Sequence, residues 1–415
     1  MPAEPLISND AVVLGMLLAM LAFVFTTAHG GSRFWERFYS FVPTVLVCYF
    51  LPSLFSTLGI ISGEVSNLYF VSSRYLLPTS LVLLTLSVDM RGIAQLGPKA
   101  LIMFAAGTVG IVLGGPLAIL LVGAVDPSIV GGAGPDAVWR GLTTVAGSWI
   151  GGGANQAAMK EVFEVGDDLF SAMIAVDVIV ANVWLAVLLF LVGRAARIDA
   201  RIGADTSAID ELRARVEREQ QEHARIPSLT DLIQILAAGF GVTAVAHFLA
   251  DLIAPAIERS APGLAIYNLT SQFFWLVVVS TTIAIGLSTT KLRRLEHAGA
   301  SRVGSACLYV LIASIGMRMN LMAVFDNPGL FVVGGVWMVV HAAIMLGVAW
   351  VIRAPVFFMA VGSQANVGGA ASAPIVASAV HPALAPVGAL LAVLGYAVGT
   401  YGAYVCGQIM RLAAG

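Results

Sequence analysis

The groups in this chain able to do chemistry are amides, hydroxyls and one isolated carboxylate, set among apolar residues. "GSWIGGGANQ" (147–156) and "VGSQANVGGAAS" (361–372) each mix glycines with Ser, Asn and Gln, and Asp177 stands alone in "SAMIAVDVIVAN". A glycine-rich break in a helix frees backbone groups: N–H groups attract an anionic solute group, while carbonyl and amide oxygens suit a dehydrated Na+. The expected solute-binding residues are Ser148, Gly151, Gly152, Gly153, Asn155 and Gln156 from the first run, and Ser363, Gln364, Asn366, Gly368, Gly369 and Ser372 from the second. Close helix packing through small residues would explain the glycines but gives no reason for four amide side chains.

Asp177 lies nine residues past Asp168, about 14 Å along a helix and so near the middle of a hydrocarbon layer of about 30 Å. A carboxylate at that depth is costly, which points to ion coupling. The expected arrangement is a proton on Asp177, or a Na+ held by Asp177, Asn155 and Asn366, with Asn182 nearby. The competing reading neutralises Asp177 through a structural hydrogen bond or an ion pair with Lys160. His341 reads as a packed, hydrogen-bonded core residue rather than a proton relay, and Arg318 as a residue snorkelling from the end of a span.

No metalloprotease or serine-hydrolase motif and no Cys/His cluster occurs, so an enzyme is not expected, nor any cofactor beyond a coupling Na+ or H+. Cys48, Cys307 and Cys406 form neither a disulfide framework nor a metal-ligand spacing. The net charge of −2 argues against a nucleic-acid partner.

The elements that must position these groups are membrane helices. The chain of 415 residues is 59% hydrophobic and 11% charged, with mean hydropathy +0.90, which marks an all-α polytopic membrane protein whose first partner is the lipid bilayer. The N-terminus lacks a basic region ahead of its first apolar run, which therefore reads as an uncleaved helix. Windows of about twenty apolar residues predict crossings near 11–30, 38–59, 68–89, 99–123, 168–193, 229–255, 268–290, 302–317, 329–352 and 383–410. Segments 139–165 and 354–380, which hold the two glycine-rich runs, are too polar to face lipid and are expected to be broken or re-entrant helical hairpins.

Between the halves, the charged stretch 194–227 has Glu211/Arg215, Arg213/Glu217, Arg215/Glu219 and Arg218/Glu222 at i,i+4, the pattern of a solvated linker helix. Flanking it, 1–193 and 228–415 read as two repeats. Ser73-Arg74, Met90-Arg91, Gly97-Pro98 and Ile150-Gly151-Gly152 find counterparts, in the same order, in Ser301-Arg302, Met317-Arg318, Asn327-Pro328 and Val367-Gly368-Gly369. Five crossings and one hairpin per repeat invert the second half relative to the first. A rival arrangement of twelve full crossings is served almost as well by the distribution of Lys and Arg, so the polar content of the two segments is what favours hairpins.

The stretches 147–182, 73–104 and 361–407 resemble the YjcL-like family of integral membrane proteins (domain of unknown function 819). That family is grouped with the cation:proton antiporter and anion transporter superfamily. The resemblance implies an elevator-type secondary transporter: a scaffold holding a homodimer, and a mobile unit carrying crossed hairpins. It names no substrate. Together with the residues it implies a Na+- or H+-coupled carrier of a small organic solute, such as a carboxylate, amino acid or short peptide, in a bacterial inner membrane. A cation:proton antiporter is the alternative, with a channel or membrane-embedded enzyme further behind.

Overall fold

The computed structural model describes residues 5–415 apart from 208, 210, 211, 213–226, 321 and 323–325, and no strand occurs among them. The principal helices are α1 (Asp10–His29), α2 (Thr44–Thr57), α3 (Leu77–Leu86), α4 (Pro98–Gly123), α5 (Val138–Val162), α6 (Asp167–Val192), α7 (Leu229–Ser260), α8 (Gln272–Ser288), α9 (Ala300–Gly316), α10 (Gly329–Val351), α11 (Val356–Val367), α12 (Gly369–Val380) and α13 (Ala385–Ala414).

Among the described residues six helices are long and apolar enough to cross a membrane, and eight crossings result when each of two bent helix pairs counts as one. Of the ten expected windows, six fold as such helices, two as the bent pairs, and 68–89 and 302–317 as helices that are irregular or shorter. The window at 302–317 folds as α9, whose 17 residues reach about 26 Å, short of a full hydrocarbon layer. The window at 68–89 is divided by a π-helical turn, Ser72–Leu76. Pro78 explains the disturbance, because it has no N–H to give the carbonyl of Arg74 four residues earlier. That carbonyl instead accepts the Nε2–H of His247, 2.8 Å away on α7.

Helix ends follow local chemistry. Asn9 caps α1 by accepting from Ala11 N–H at 2.9 Å, and Ser228 and Asp231 form a reciprocal capping box on α7. In the linker, Ala195–Ile202 is helical and stops at Gly203 in the left-handed conformation. The i,i+4 pairs expected between 211 and 222 lie outside the described residues.

The helices sort into two bodies. α4, α5, α6, α10, α11, α12 and α13 pack among themselves, as do α1, α2, α3, α7, α8 and α9. Each body draws on both halves of the chain. They meet along a seam crossed by Tyr404 Oη donating to the Tyr267 carbonyl (2.6 Å), Thr282–Tyr401 (2.7 Å) and Arg318–Asp167 (2.8 Å). We call them the hairpin body and the framework body.

Candidate functional site

α5 is two helical legs joined at Gly152, whose φ of 75° and ψ of −175° interrupt the helix. With no Cβ, glycine adopts this conformation where other residues essentially do not. The chain then folds back. Residues 147 and 155 would be about 12 Å apart in a straight helix, yet a Cβ on Gly147 would lie 2.6 Å from the carbonyl oxygen of Asn155. The two ends also meet: the Gly166 N–H donates to the Pro135 carbonyl at 3.0 Å, and the rings of Trp139 and Phe163 are 5.9 Å apart. The first glycine-rich segment is thus a hairpin whose entry and exit lie together. The second breaks between α11 and α12, where Gly369 has φ +57°. Its two legs pack on each other, and Gln364 Nε2 donates to Ser372 Oγ across the break at 2.8 Å. The two interruptions, Gly152 and Gly369, both have positive φ and are the glycines paired when the two halves of the sequence are matched.

Both breaks open onto one cavity of about 410 Å³ at the seam. The hairpin body contributes Ser148, Gly152, Gly153, Gln156, Gln364, Gly368, Gly369 and Ser372, together with Asp177, Asn182 and Tyr396. The framework supplies Tyr49, Leu84, Ser305, Leu308, Tyr309 and Ile312. Space of this size is ordinary for a small-molecule site.

Asp177 is 6% exposed. Its Oδ1 accepts from Trp149 Nε1 at 2.7 Å and its Oδ2 from Gln156 Nε2 at 2.9 Å, so both donors come from the first hairpin, one on each leg. No basic side chain within 4 Å neutralises it among the described residues. The expected alternative partner, Lys160, is engaged elsewhere: its Nζ lies 2.8 Å from Asp167 and 2.9 Å from Tyr69 Oη. The structure thus excludes the ion pair to Lys160 and keeps the carboxylate on the cavity wall. Asn182 lines the same wall and donates to the Val178 carbonyl at 2.7 Å.

Four expected site residues lie outside the lining. Asn155 donates to the Gly151 carbonyl (2.9 Å) and accepts from Thr400 of α13 (2.7 Å). Asn366 donates to the carbonyls of Phe104 and Gly362 (both 3.0 Å) and accepts from Thr108 of α4 (2.8 Å). Both amides tie a hairpin to a neighbouring helix, and neither lines the cavity that holds Asp177. Ser363 Oγ lies 2.8 Å from Trp184 Nε1 and 2.8 Å from His341 Nε2, which makes His341 a hydrogen-bonded core residue. Gly151 packs against Gly399, where a Cβ would come within 2.7 Å of the opposing Cα; the need there is close approach.

Two positions carry roles that sequence reading missed. Arg318, taken as snorkelling, pairs with Asp167 at 2.8 Å and sits over the ring of Tyr69. The Glu161 carboxylate beside this pair binds Arg74 (2.8 Å) and accepts from Tyr69. Asp199 of the linker is buried and accepts the Val356 N–H at 2.9 Å, capping the first leg of the second hairpin. The i,i+4 charge pattern around it suggested only a solvated surface. The opposite-charge pairing of Arg318 and Asp167 spans 151 residues of chain, a separation at which spacing carries no signal.

Comparisons with known proteins agree with the membrane reading. "Uncharacterized membrane protein YjcL" of Bacillus subtilis (strain 168) is 25% identical over 365 residues, covering 84% of this chain and 85% of that protein. The family described as "Protein of unknown function (DUF819)" matches residues 15–413. With nearly its whole length matched, and helices apolar enough to span a bilayer, this chain is an integral membrane protein that belongs to the DUF819 family.

Proposed function

We propose that this protein is a Na+- or H+-coupled secondary active transporter that moves a small organic solute across a bacterial inner membrane. The observation that carries this reading is the meeting of two glycine-broken hairpins and one buried carboxylate on a single cavity between two separately packed bodies. In lipid, non-helical backbone is tolerated where protein buries it or where it lines an aqueous cavity, and its freed amides and carbonyls are then available to a solute and an ion. Asp177 takes the coupling cation, held in place by Trp149 and Gln156. The solute, a carboxylate, amino acid or short peptide, occupies the rest of the cavity. The hairpin body slides against the framework in an elevator movement, within a homodimer held by the framework. In this reading the two hairpins enter the membrane from opposite sides, as an inverted repeat requires.

A cation:proton antiporter would use the same carboxylate. The polar atoms that the second hairpin contributes, Gln364 and Ser372, favour an organic solute over a bare ion. Purified protein in proteoliposomes with an imposed Na+ or pH gradient tests the reading: it requires concentrative uptake of an organic solute. For the movement, a Cys pair replacing Gly153 and Leu308, which meet across the seam (a Cβ placed on Gly153 would lie 3.8 Å from Leu308 Cδ2), in a background without Cys48, Cys307 and Cys406, should stop uptake when bridged by Hg2+ and restore it when excess thiol removes the metal. Undiminished uptake by the cross-linked protein would exclude the elevator.

A further inference from the structure

The charge and hydrogen-bonding inventory of the cavity narrows the solute. Its described lining contains one carboxylate, Asp177, three tyrosines and no Lys, Arg or His. A free anion would therefore find no cationic side chain there. What the lining does offer is an unused acceptor beside unused donors. Gln364 is 1% exposed and lines the cavity; its Nε2 is taken by Ser372, while its Oε1 has no partner among the described residues. Next to it, α12 begins with Gly369, Ala370 and Ala371 on the cavity wall, and no side chain caps the N–H groups of its first turn, which an α-helix leaves without an intrahelical acceptor. From the framework, Tyr49, also 1% exposed and on the lining, has a hydroxyl without a hydrogen-bond partner among the described residues. Leaving such groups unsatisfied costs free energy that a ligand recovers on binding.

We propose that the solute is a zwitterion with an apolar side chain, a hydrophobic amino acid or its short peptide, whose ammonium group donates to Gln364 Oε1 and whose carboxylate accepts from the start of α12, carried with one cation on Asp177. This rests on the transporter reading above and deepens it. The electrostatics are consistent: ionised Asp177, one cation and a zwitterion sum to zero, so the loaded hairpin body crosses the membrane neutral. A dicarboxylate would bring two further negative charges to a lining with no cationic side chain, a penalty that burial makes severe. Val45, Leu84, Leu308 and Ile312 form the apolar wall for the side chain.

The test uses the full-length protein in detergent and in proteoliposomes with a Na+ or pH gradient, offered the apolar L-amino acids, L-leucinamide, 4-methylpentanoate and succinate. Expected are a raised melting temperature and concentrative uptake with an apolar amino acid, and neither with 4-methylpentanoate or succinate. Gln364→Leu should weaken binding of that amino acid about tenfold and leave the stabilisation by Na+ or protons intact, whereas Gln364→Glu, which keeps an acceptor, should still bind it. Gradient-driven uptake of 4-methylpentanoate or succinate in place of amino acids would overturn the zwitterion and leave the transporter standing. Equal amino-acid affinity in Gln364→Leu and the parent would remove Gln364 from the site. Folded protein that accumulates no organic solute under either gradient would overturn both readings.

Discussion

The two hairpins are built alike and wired differently. Each breaks at a glycine with positive φ, Gly152 or Gly369, and each holds an asparagine three residues from the break. Asn155 follows its break and binds Thr400 of α13; Asn366 precedes its break and binds Thr108 of α4. The difference lies in what else they touch. Through Trp149 and Gln156 the first hairpin holds Asp177, and Lys160 and Glu161 at its far end join the charged cluster with Asp167, Arg318 and Arg74. The second contains no charged residue between Val356 and Val380 and presents instead an unpartnered amide oxygen and an uncapped helix start. One fold, used twice, thus divides the work proposed above: ion-holding and anchorage fall to the first hairpin, and solute contact to the second.

The sharpest way to break this division is Asp177→Asn. Loss of the one ionisable carboxylate on the cavity wall should abolish gradient-driven accumulation while the protein still elutes as a folded species on size exclusion. Unchanged uptake with unchanged ion dependence would remove the ion site from the first hairpin.

Among side-chain anchors the largest loss of stability is expected from Asp167→Asn. It leaves buried Lys160 and half-exposed Arg318 without their shared carboxylate and should cost about 2–3 kcal/mol, read as a fall in melting temperature. Changing the second hairpin's anchor, Asp199→Asn, should cost about 1 kcal/mol, the worth of one cap. Equal losses would show that the anchorage is not concentrated on the first hairpin.

The glycines refine the comparison further. Neither break is crowded: a Cβ on Gly152 meets only Tyr396, at 3.4 Å, and one on Gly369 meets nothing within 4 Å. Backbone strain therefore sets the cost of alanine. Gly152, at φ 75° and ψ −175°, lies in a region nearly closed to other residues, which predicts a loss of about 3 kcal/mol. Gly369, at φ +57°, predicts about 1–2 kcal/mol. Thermal unfolding of the two variants should rank them in that order.

The smallest effect on ion binding is expected from Asn155→Ala and Asn366→Ala, each removing buried hydrogen bonds to a neighbouring helix at about 1 kcal/mol per bond. Their apparent affinity for the coupling ion should match that of the parent, because neither amide lines the cavity. A large loss of ion affinity in either variant would restore that asparagine as an ion ligand.

These particulars show what was legible in the residues. A run of glycine and amide side chains amid long apolar stretches requires that the segment be shielded from lipid, whatever surrounds it, and the two glycine-rich runs marked the segments in which the breaks lie. The depth of Asp177 followed from helical rise alone. Helix detail was less legible, because the apolar windows at 68–89 and 302–317 do not register a proline-disturbed turn or a helix ending early. Side-chain direction was harder still. Asn155 and Gln156 are adjacent, yet one turns to α13 and the other to Asp177.

Sequence by itself determined that this is a membrane protein with two helix breaks and a carboxylate within a long apolar helix, since hydrophobicity, glycine content and rise per residue are local properties. Only the tertiary structure decided that the breaks share one cavity with Asp177, that Arg318 and Asp167 meet, and that Asp199 caps a helix far along the chain. Those pairings depend on which helices pack together, and long-range packing leaves no periodic trace in a single chain.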